Sequence, residues 1–311
     1  MILNSMSSPP CTFSPSSPEL GNFEGLTQPN AKQTRSNTEQ MDITADRIWA
    51  DFRTLRETTP LVLSLTNSVV REFTANALLG LGASPIMSDA FEEIAELVGI
   101  SGALNLNIGT PTPRSAEAMA LAAGVAKAMA IPIALDPVAV GATRLRRELV
   151  DRLLRIALPT VIRGNQAEIA ALAGLPSVAR GVDAIGNLDQ MSDVVRQLAK
   201  QLGTVVVASG ATDYLSDGET VIAIENGHPL MARTTGSGCV ATAVIAAFLP
   251  ISSSSFSAAV SAMVVMDLAG ELAADHSRTD GPGSFRVRFL DAFDKLEPEH
   301  IEERMRVTRI W

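Results

Sequence analysis

The chain predicts an α/β protein with a mostly parallel central sheet flanked by helices. Three observations carry that expectation. Short, β-branched apolar runs alternate with segments of helical spacing. Several of those runs end in a polar or glycine-rich signature. A glycine turn, Thr234-Thr235-Gly236-Ser237-Gly238-Cys239, feeds an Ala-rich apolar segment that reads as a buried helix.

Strand-like runs occupy residues 61–66, 103–108, 132–136, 160–163, 204–208 and 220–224. Helical spacing marks residues 71–80, 90–98, 114–130, 145–156, 166–173 and 191–201. Two long apolar helical segments follow at 239–249 and 256–274, with Pro250 and a serine run between them. A last helix covers 284–295. No repeat or linker interrupts this pattern, so residues 45–311 read as one domain. Residues 1–44 read as an extension without fixed structure, rich in Ser, Pro, Asn and Thr as far as Gln40. It lacks a basic start followed by an apolar stretch, so it does not read as a secretory signal.

Composition bounds the partners. Of 311 residues, 46% are hydrophobic, enough for one large core or two modest ones. The net charge of −9 argues against nucleic acid or an anionic membrane as partner. A phosphate-bearing ligand then needs helix ends and a few placed cations. Cys11 and Cys239 lie far apart, which excludes a disulfide framework or a Cys-based zinc site and suits a reducing cytoplasm. No apolar run reads as a membrane span. His228, His276 and His300 show no metal-ligand spacing. The P-loop pattern Gly-x-x-x-x-Gly-Lys-Ser/Thr and the hydrolase pattern Gly-x-Ser-x-Gly are both absent.

The strand ends carry the chemistry. They read Thr66-Asn67, Asn107-Ile108-Gly109-Thr110, Leu135-Asp136-Pro137, Arg163-Gly164-Asn165 and Ser209-Gly210. In a parallel sheet, ligands bind beyond the carboxyl ends of the strands. Any one of these residues reads equally as a turn residue or helix cap. Asp136 is a turn aspartate or a carboxylate near a metal-bound phosphate, and Glu168 is a first-turn dipole partner or a second such carboxylate. Arg163 is a structural ion pair or a phosphate clamp. Ser209 offers a hydroxyl, and Met87 reads as core or as a soft contact for a small ring. The amides at Gly236 and Gly238 face whatever anion sits at the following helix. Cys239 lies in that helix's first turn, where a thiol is most easily ionised.

These motifs, taken in order, resemble the hydroxyethylthiazole kinase family. The resemblance rests on Thr66-Asn67, Phe73-Thr74-Ala75-Asn76, Gly82-Ala83-Ser84-Pro85-Ile86-Met87, Gly102-Ala103-Leu104-Asn105-Leu106-Asn107-Ile108-Gly109-Thr110, Leu135-Asp136-Pro137-Val138 and Val161-Ile162-Arg163-Gly164-Asn165. It closes with Gly236-Ser237-Gly238-Cys239 and Gly281-Pro282-Gly283-Ser284-Phe285-Arg286-Val287. It covers residues 45–296.

The resemblance implies a ribokinase-like three-layer fold and ATP- and Mg²⁺-dependent phosphorylation of the hydroxyethyl group of 4-methyl-5-(2-hydroxyethyl)thiazole, in thiamine synthesis and salvage. It implies a cytoplasmic homotrimer. Carried over residue by residue, Met87, Gly236 and Asn67 contact the thiazole, and Arg163 and Ser209 contact ATP. Asp136 and Glu168 surround the magnesium, and Cys239 sits beside the substrate hydroxyl. Five positions depart from the family pattern. Ser209 and Ser237 stand where threonine is usual, Ala139-Val140 where Gly-Ala is expected, and Asp267 where a small residue is usual. Two alternatives remain at this stage: another small-alcohol kinase of the same fold acting on a pyrimidine or pyridoxal-type substrate, or a non-catalytic nucleotide- or thiazole-binding relative.

Overall fold

The computed structural model describes residues 43–175, 188–275 and 281–311. Almost all of the expected extension, with Cys11, and also His276, lie outside the described residues. Six strands run parallel: β1 (Leu61–Leu65), β2 (Ser84–Met87), β3 (Ala103–Asn107), β4 (Ile133–Asp136), β5 (Val161–Asn165) and β6 (Val205–Ser209). Then β7 (Asp213–Ser216), β8 (Val221–Ile224) and β9 (Val307–Arg309) add an antiparallel flank. The order is β2-β1-β3-β4-β5-β6-β7-β8-β9.

Helices cover both faces of the sheet. On one face lie α1 (Ala45–Thr58), α2 (Arg71–Leu81), α9 (Ser237–Phe248), α10 (Ser255–Asp275) and α11 (Pro282–Lys295). On the other lie α3 (Ile94–Ile100), α4 (Pro113–Met129), α5 (Arg144–Ile156), α6 (Gln166–Leu172) and α7 (Leu188–Leu202). The short α8 (Pro229–Ala232) precedes the glycine turn, and α12 (Pro298–Arg304) leads into β9. Successive strand residues point to opposite faces. Val205 and Val207 therefore enter the first core while Val206 and Ala208 enter the second. A strand buried on both faces reads as a continuous apolar run.

Six elements lie beyond the sequence expectation: β2, β7, β9, α1, α8 and α12. The missed strands are three or four residues long. Pro85 is tolerated in β2 because that strand is at the sheet's edge. By length and composition α10 alone among the described helices is apolar enough to cross a membrane. It is instead buried almost throughout and packs against α9 and α11 as a core helix.

The loop after β4 accommodates the Ala139-Val140 departure in a specific way. Ala139 adopts a left-handed backbone, φ 54°, the region glycine enters without penalty. Val140 turns its side chain into the second core, where it is fully buried. Arg146 then ties this loop to the end of β3, donating to the carbonyls of Val138 at 2.8 Å, Ile108 at 2.8 Å and Gly109 at 2.6 Å.

Candidate active site

All eight sequence-predicted site residues fall along the carboxyl edge of the parallel strands or at the start of α9. Asn67 follows β1, Met87 ends β2, Asp136 ends β4, Arg163 lies in β5 and Ser209 ends β6. Glu168 is in the first turn of α6, Gly236 is the N-cap of α9 and Cys239 lies in its first turn.

Register explains the convergence. Leu106 and Leu135 enter the second core, so their successors Asn107 and Asp136 face the side that carries α9. Asn107 and Asp136 are register partners on adjacent strands. Asn107 Nδ2 donates to Asp136 Oδ2 at 2.7 Å, and Thr242 of α9 donates to the same oxygen at 3.2 Å. The Asn107 carbonyl oxygen accepts from Asn67 Nδ2 at 2.9 Å and from the Gly109 amide at 2.9 Å. Asn67 Nδ2 also lies 3.4 Å from Cys239 Sγ. One hydrogen-bonded chain thus links the ends of β1, β3 and β4 to α9.

Arg163 braces the start of that helix. Its Nη1 donates to the Gly238 carbonyl at 2.9 Å, and its Nη2 donates to Ser209 Oγ. A Cβ on Gly238 would stand 2.8 Å from Nη1, so a larger residue there would push the guanidinium aside. Arg163 Nε is buried without a partner. The glycine at 236 is required twice over. Its φ is 96°, and a Cβ there would lie 2.7 Å from Val70 Cγ1 and 3.1 Å from Phe73 Cδ1. No side chain caps α9, and the Ser237 amide donates to the Thr234 carbonyl at 3.3 Å, which leaves the Gly238 and Cys239 amides to face an anion.

Glu168 takes the local role that its spacing also allowed. With Asn165 it forms a capping box at the start of α6. Its Oε2 accepts from the Asn165 amide at 2.8 Å and its Oε1 from the Ala139 amide at 2.7 Å. Glu168 therefore holds the strained loop next to Asp136. Met87 is half-buried, packs against the first core and sits beside Ser64 in register.

The electrostatics overturn one expectation. Burial, reinforced by the charge of Asp136, pushes the Cys239 thiol up to about 11, against weaker help from Asn107, Arg163 and Asn67. The helix end does not ionise this thiol, because desolvation dominates. Burial also pushes Asp136 up to about 7, with Arg163 pulling down and Glu168 pushing further up. Asp136 is buried, Glu168 is half-buried, and the Arg163 guanidinium offsets only part of what burial costs Asp136. Oxygen donors of this kind suit Mg²⁺, which takes one or two carboxylates and fills its shell with water and phosphate. Among the described residues no group of three or more His, Cys, Asp or Glu could hold a metal by itself.

Sequence reasoning left three residues without a role. Asn107 was visible in a strand-end signature. Thr242 stands one helical turn beyond Cys239, a hydroxyl in an otherwise apolar helix. Arg146 gave no signal, because its three acceptors are backbone carbonyls of other segments.

The fold and this edge define the class: a ribokinase-like α/β kinase. The pyridoxal kinase from Staphylococcus aureus in complex with ADP superposes with a TM-score of 0.59 over 81% of this chain and 99% of that one, at 16% identity, a likeness of fold alone. The Hydroxyethylthiazole kinase family model matches residues 52–299. Hydroxyethylthiazole kinase of Syntrophus aciditrophicus (strain SB) is 45% identical over 269 residues, 86% of this chain and 99% of the relative. Its namesake in Nitratidesulfovibrio vulgaris (strain DP4) is 44% identical over 262 residues, 84% of this chain and 97% of the relative. The hydroxyethylthiazole kinase protein from Pyrococcus horikoshii OT3 superposes with a TM-score of 0.79 at 34% identity, over 86% of this chain and all of that one. The chain belongs to the hydroxyethylthiazole kinase family. Thiazole kinase function is thereby favoured over the pyrimidine, pyridoxal-type and non-catalytic readings.

Proposed function

We propose that this chain transfers the terminal phosphoryl group of ATP to the hydroxyethyl group of 4-methyl-5-(2-hydroxyethyl)thiazole, with the carboxyl edge of the sheet as its site. One observation carries the residue assignment. The ends of four parallel strands and a helix start without a side-chain cap converge on Asn67, Asn107, Asp136, Arg163 and Cys239. Asp136 and Glu168 hold Mg²⁺, which when bound neutralises phosphate charge. Arg163 and Ser209 take the ATP phosphates. Met87, Gly236 and Asn67 border the thiazole.

Phosphoryl transfer to an alcohol passes through a loose transition state, so alignment and charge neutralisation outweigh a strong base. The first amides of α9 stabilise charge developing on the phosphoryl oxygens. Cys239, neutral near pH 7, orders the substrate hydroxyl while Asn67 donates to its sulfur. Assembly as a homotrimer and a cytoplasmic location complete the reading, supported by family membership. ADP release with the thiazole alcohol, measured against a blank without alcohol and against pyridoxal and a pyrimidine alcohol, tests it. High kcat/KM for the thiazole alone is expected; a better pyridoxal or pyrimidine substrate overturns it.

A further inference from the structure

The segment that leads into the glycine turn is held from behind by residues with no part in the mechanism above. Residues 226–235 carry the chain from the end of β8 through α8 to Gly236. α8 spans four residues and buries none of them. So short a helix has no core of its own, and its place depends on tethers.

Those tethers converge on Glu271 of α10, whose side chain is only 12% exposed. Its Oε1 accepts from the Gly227 amide at 3.0 Å, from Asn226 Nδ2 at 3.0 Å and from Arg306 Nη2 at 2.5 Å. A carboxylate so nearly buried needs such donors to offset its lost hydration. Arg306, between α12 and β9, also grips the same turn directly. Its Nε and Nη2 donate to the Glu225 carbonyl at 3.1 and 2.8 Å, and its backbone amide donates to Asn226 Oδ1 at 2.7 Å. Asn226 Nδ2 donates in turn to the Arg304 carbonyl at 2.8 Å. Gly227 has φ 105°, a left-handed turn that glycine adopts freely. One residue before Glu271, Gly270 leaves the room that the Met231 side chain of α8 fills, since a Cβ there would lie 3.0 Å from Met231 Cγ. The Met231 carbonyl then accepts from Ser237 Oγ at 2.7 Å and from the Thr234 amide at 3.1 Å. A continuous path of contacts thus runs from Arg306 to the first turn of α9.

We propose that Arg306 and Glu271 are positioning residues for phosphoryl transfer. They clasp the Asn226-Gly227 turn and, through α8, fix the direction in which the Gly238 and Cys239 amides point. The inference rests on the placement of the transferred group at the start of α9. Arg163 holds the Gly238 carbonyl from the sheet side; the clasp holds the residues that enter the turn. Amides that act on charge developing in the transition state must be placed closely, so loosening the entry costs turnover before it costs nucleotide affinity.

Arg306→Ala removes an exposed side chain and should fold. In the ligand-free variant the backbone amides of residues 227–240 should exchange with deuterium roughly tenfold faster than in the native protein. Its kcat with the thiazole alcohol should fall roughly tenfold while the ATP KM stays within about twofold. Glu271→Gln keeps an oxygen for the Gly227 and Asn226 donors and should retain most of the native kcat, whereas Glu271→Ala should match Arg306→Ala. Combining Arg306→Ala with Glu271→Ala should lose no more than the worse single variant, because both act through one turn. Arg304→Ala breaks the neighbouring ion pair with Asp275, 2.5 Å, and should lower Tm without moving kcat or the exchange of residues 227–240. Native exchange and native kcat in Arg306→Ala overturn the clasp and leave the thiazole kinase reading untouched. Faster exchange with native kcat overturns the positioning role, since the turn then loosens without consequence. An equal loss of kcat in Arg304→Ala reduces the effect to stability and overturns it as well. A native protein that releases no ADP with the thiazole alcohol overturns the functional reading, and the positioning role falls with it whatever the exchange shows.

Discussion

Asn107 and Asp136 stand side by side on parallel strands, and the amide of one donates to the carboxylate of the other at 2.7 Å. The orientation of that amide follows from its second partner. Its oxygen accepts from Asn67 and Gly109, so only its nitrogen can face Asp136. Asn107→Ala should remove a buried hydrogen bond and leave the Asp136 carboxyl and the Asn67 amide short of a partner, which costs roughly 1–3 kcal/mol of stability by urea denaturation. It should also raise the thiazole KM, because Asn67 loses its anchor. Asn107→Asp should be worse on both measures, since it sets a carboxylate against Asp136. An Asn107→Ala enzyme with native stability and thiazole KM would remove Asn107 from the site.

The raised Asp136 has a consequence for the ligand-free protein. Its carboxyl keeps a proton in the folded state up to about pH 7, whereas the unfolded chain releases it near the ordinary value. Between those values the folded state binds more protons, so stability from this group falls as pH rises. Asp136→Asn should abolish that part of the slope. The variant should gain on the native protein by roughly 1–3 kcal/mol between about pH 5 and 8, measured without nucleotide or Mg²⁺, while losing turnover. A variant that gains nothing over that range would show that Asp136 is not strained by burial.

Arg163 connects β5 to the start of α9 and to Ser209. Arg163→Ala should raise the ATP KM roughly ten- to hundredfold, the scale of a lost charge-assisted hydrogen bond. Arg163→Lys should rescue little, because a point charge cannot serve the Gly238 carbonyl and the serine hydroxyl together. Initial-rate kinetics in ATP settle both, and an unchanged KM in Arg163→Ala excludes the residue from the nucleotide end.

The sheet was legible because buried parallel strands are continuous apolar runs with polar residues at their ends. β1 and β3 to β6 announced themselves in that way. β2 did not, since Ser84 to Met87 is short and contains a proline. β9 reaches the sheet from the far end of the chain, a pairing that no local pattern encodes. The site was legible where identity and position coincide, as at Asp136 and Arg163. Relationships across segments were not. The capping role of Glu168 was visible in its spacing, but its hold on Ala139 was not. Cys239 shows the limit most clearly: the sequence places it at the start of a buried helix, where a thiol ionises readily, but does not show that desolvation beside Asp136 outweighs the helix end.

Gly236→Ala tests the turn itself. The substitution meets a left-handed backbone, worth roughly 1–2 kcal/mol, and a Cβ contact of 2.7 Å with Val70. Overpacking at a tight contact adds roughly 1–3 kcal/mol. The variant should unfold at lower urea and lose turnover more than it loses ATP affinity, because α9 is displaced from the acceptor side. Native stability in Gly236→Ala would mean that the turn relaxes without cost.

Cys239 separates two kinds of proton chemistry. A thiol pushed up to about 11 is overwhelmingly protonated at pH 8. Alkylation by iodoacetamide should be slow at pH 8 and still accelerating at pH 10, because the thiolate is the reactive form. If a thiolate were the base, kcat would climb through the same range. A thiol that only orders the hydroxyl leaves kcat flat between about pH 7 and 9. Cys239→Ala should then lower kcat roughly 10²-fold, the low end for a positioned proton-handling group. Cys239→Ser should keep part of that loss, since a hydroxyl can accept from Asn67 and still order the alcohol. A kcat that rises in parallel with alkylation would establish the thiolate as base, and native turnover in Cys239→Ala would leave the thiol no role in the reaction.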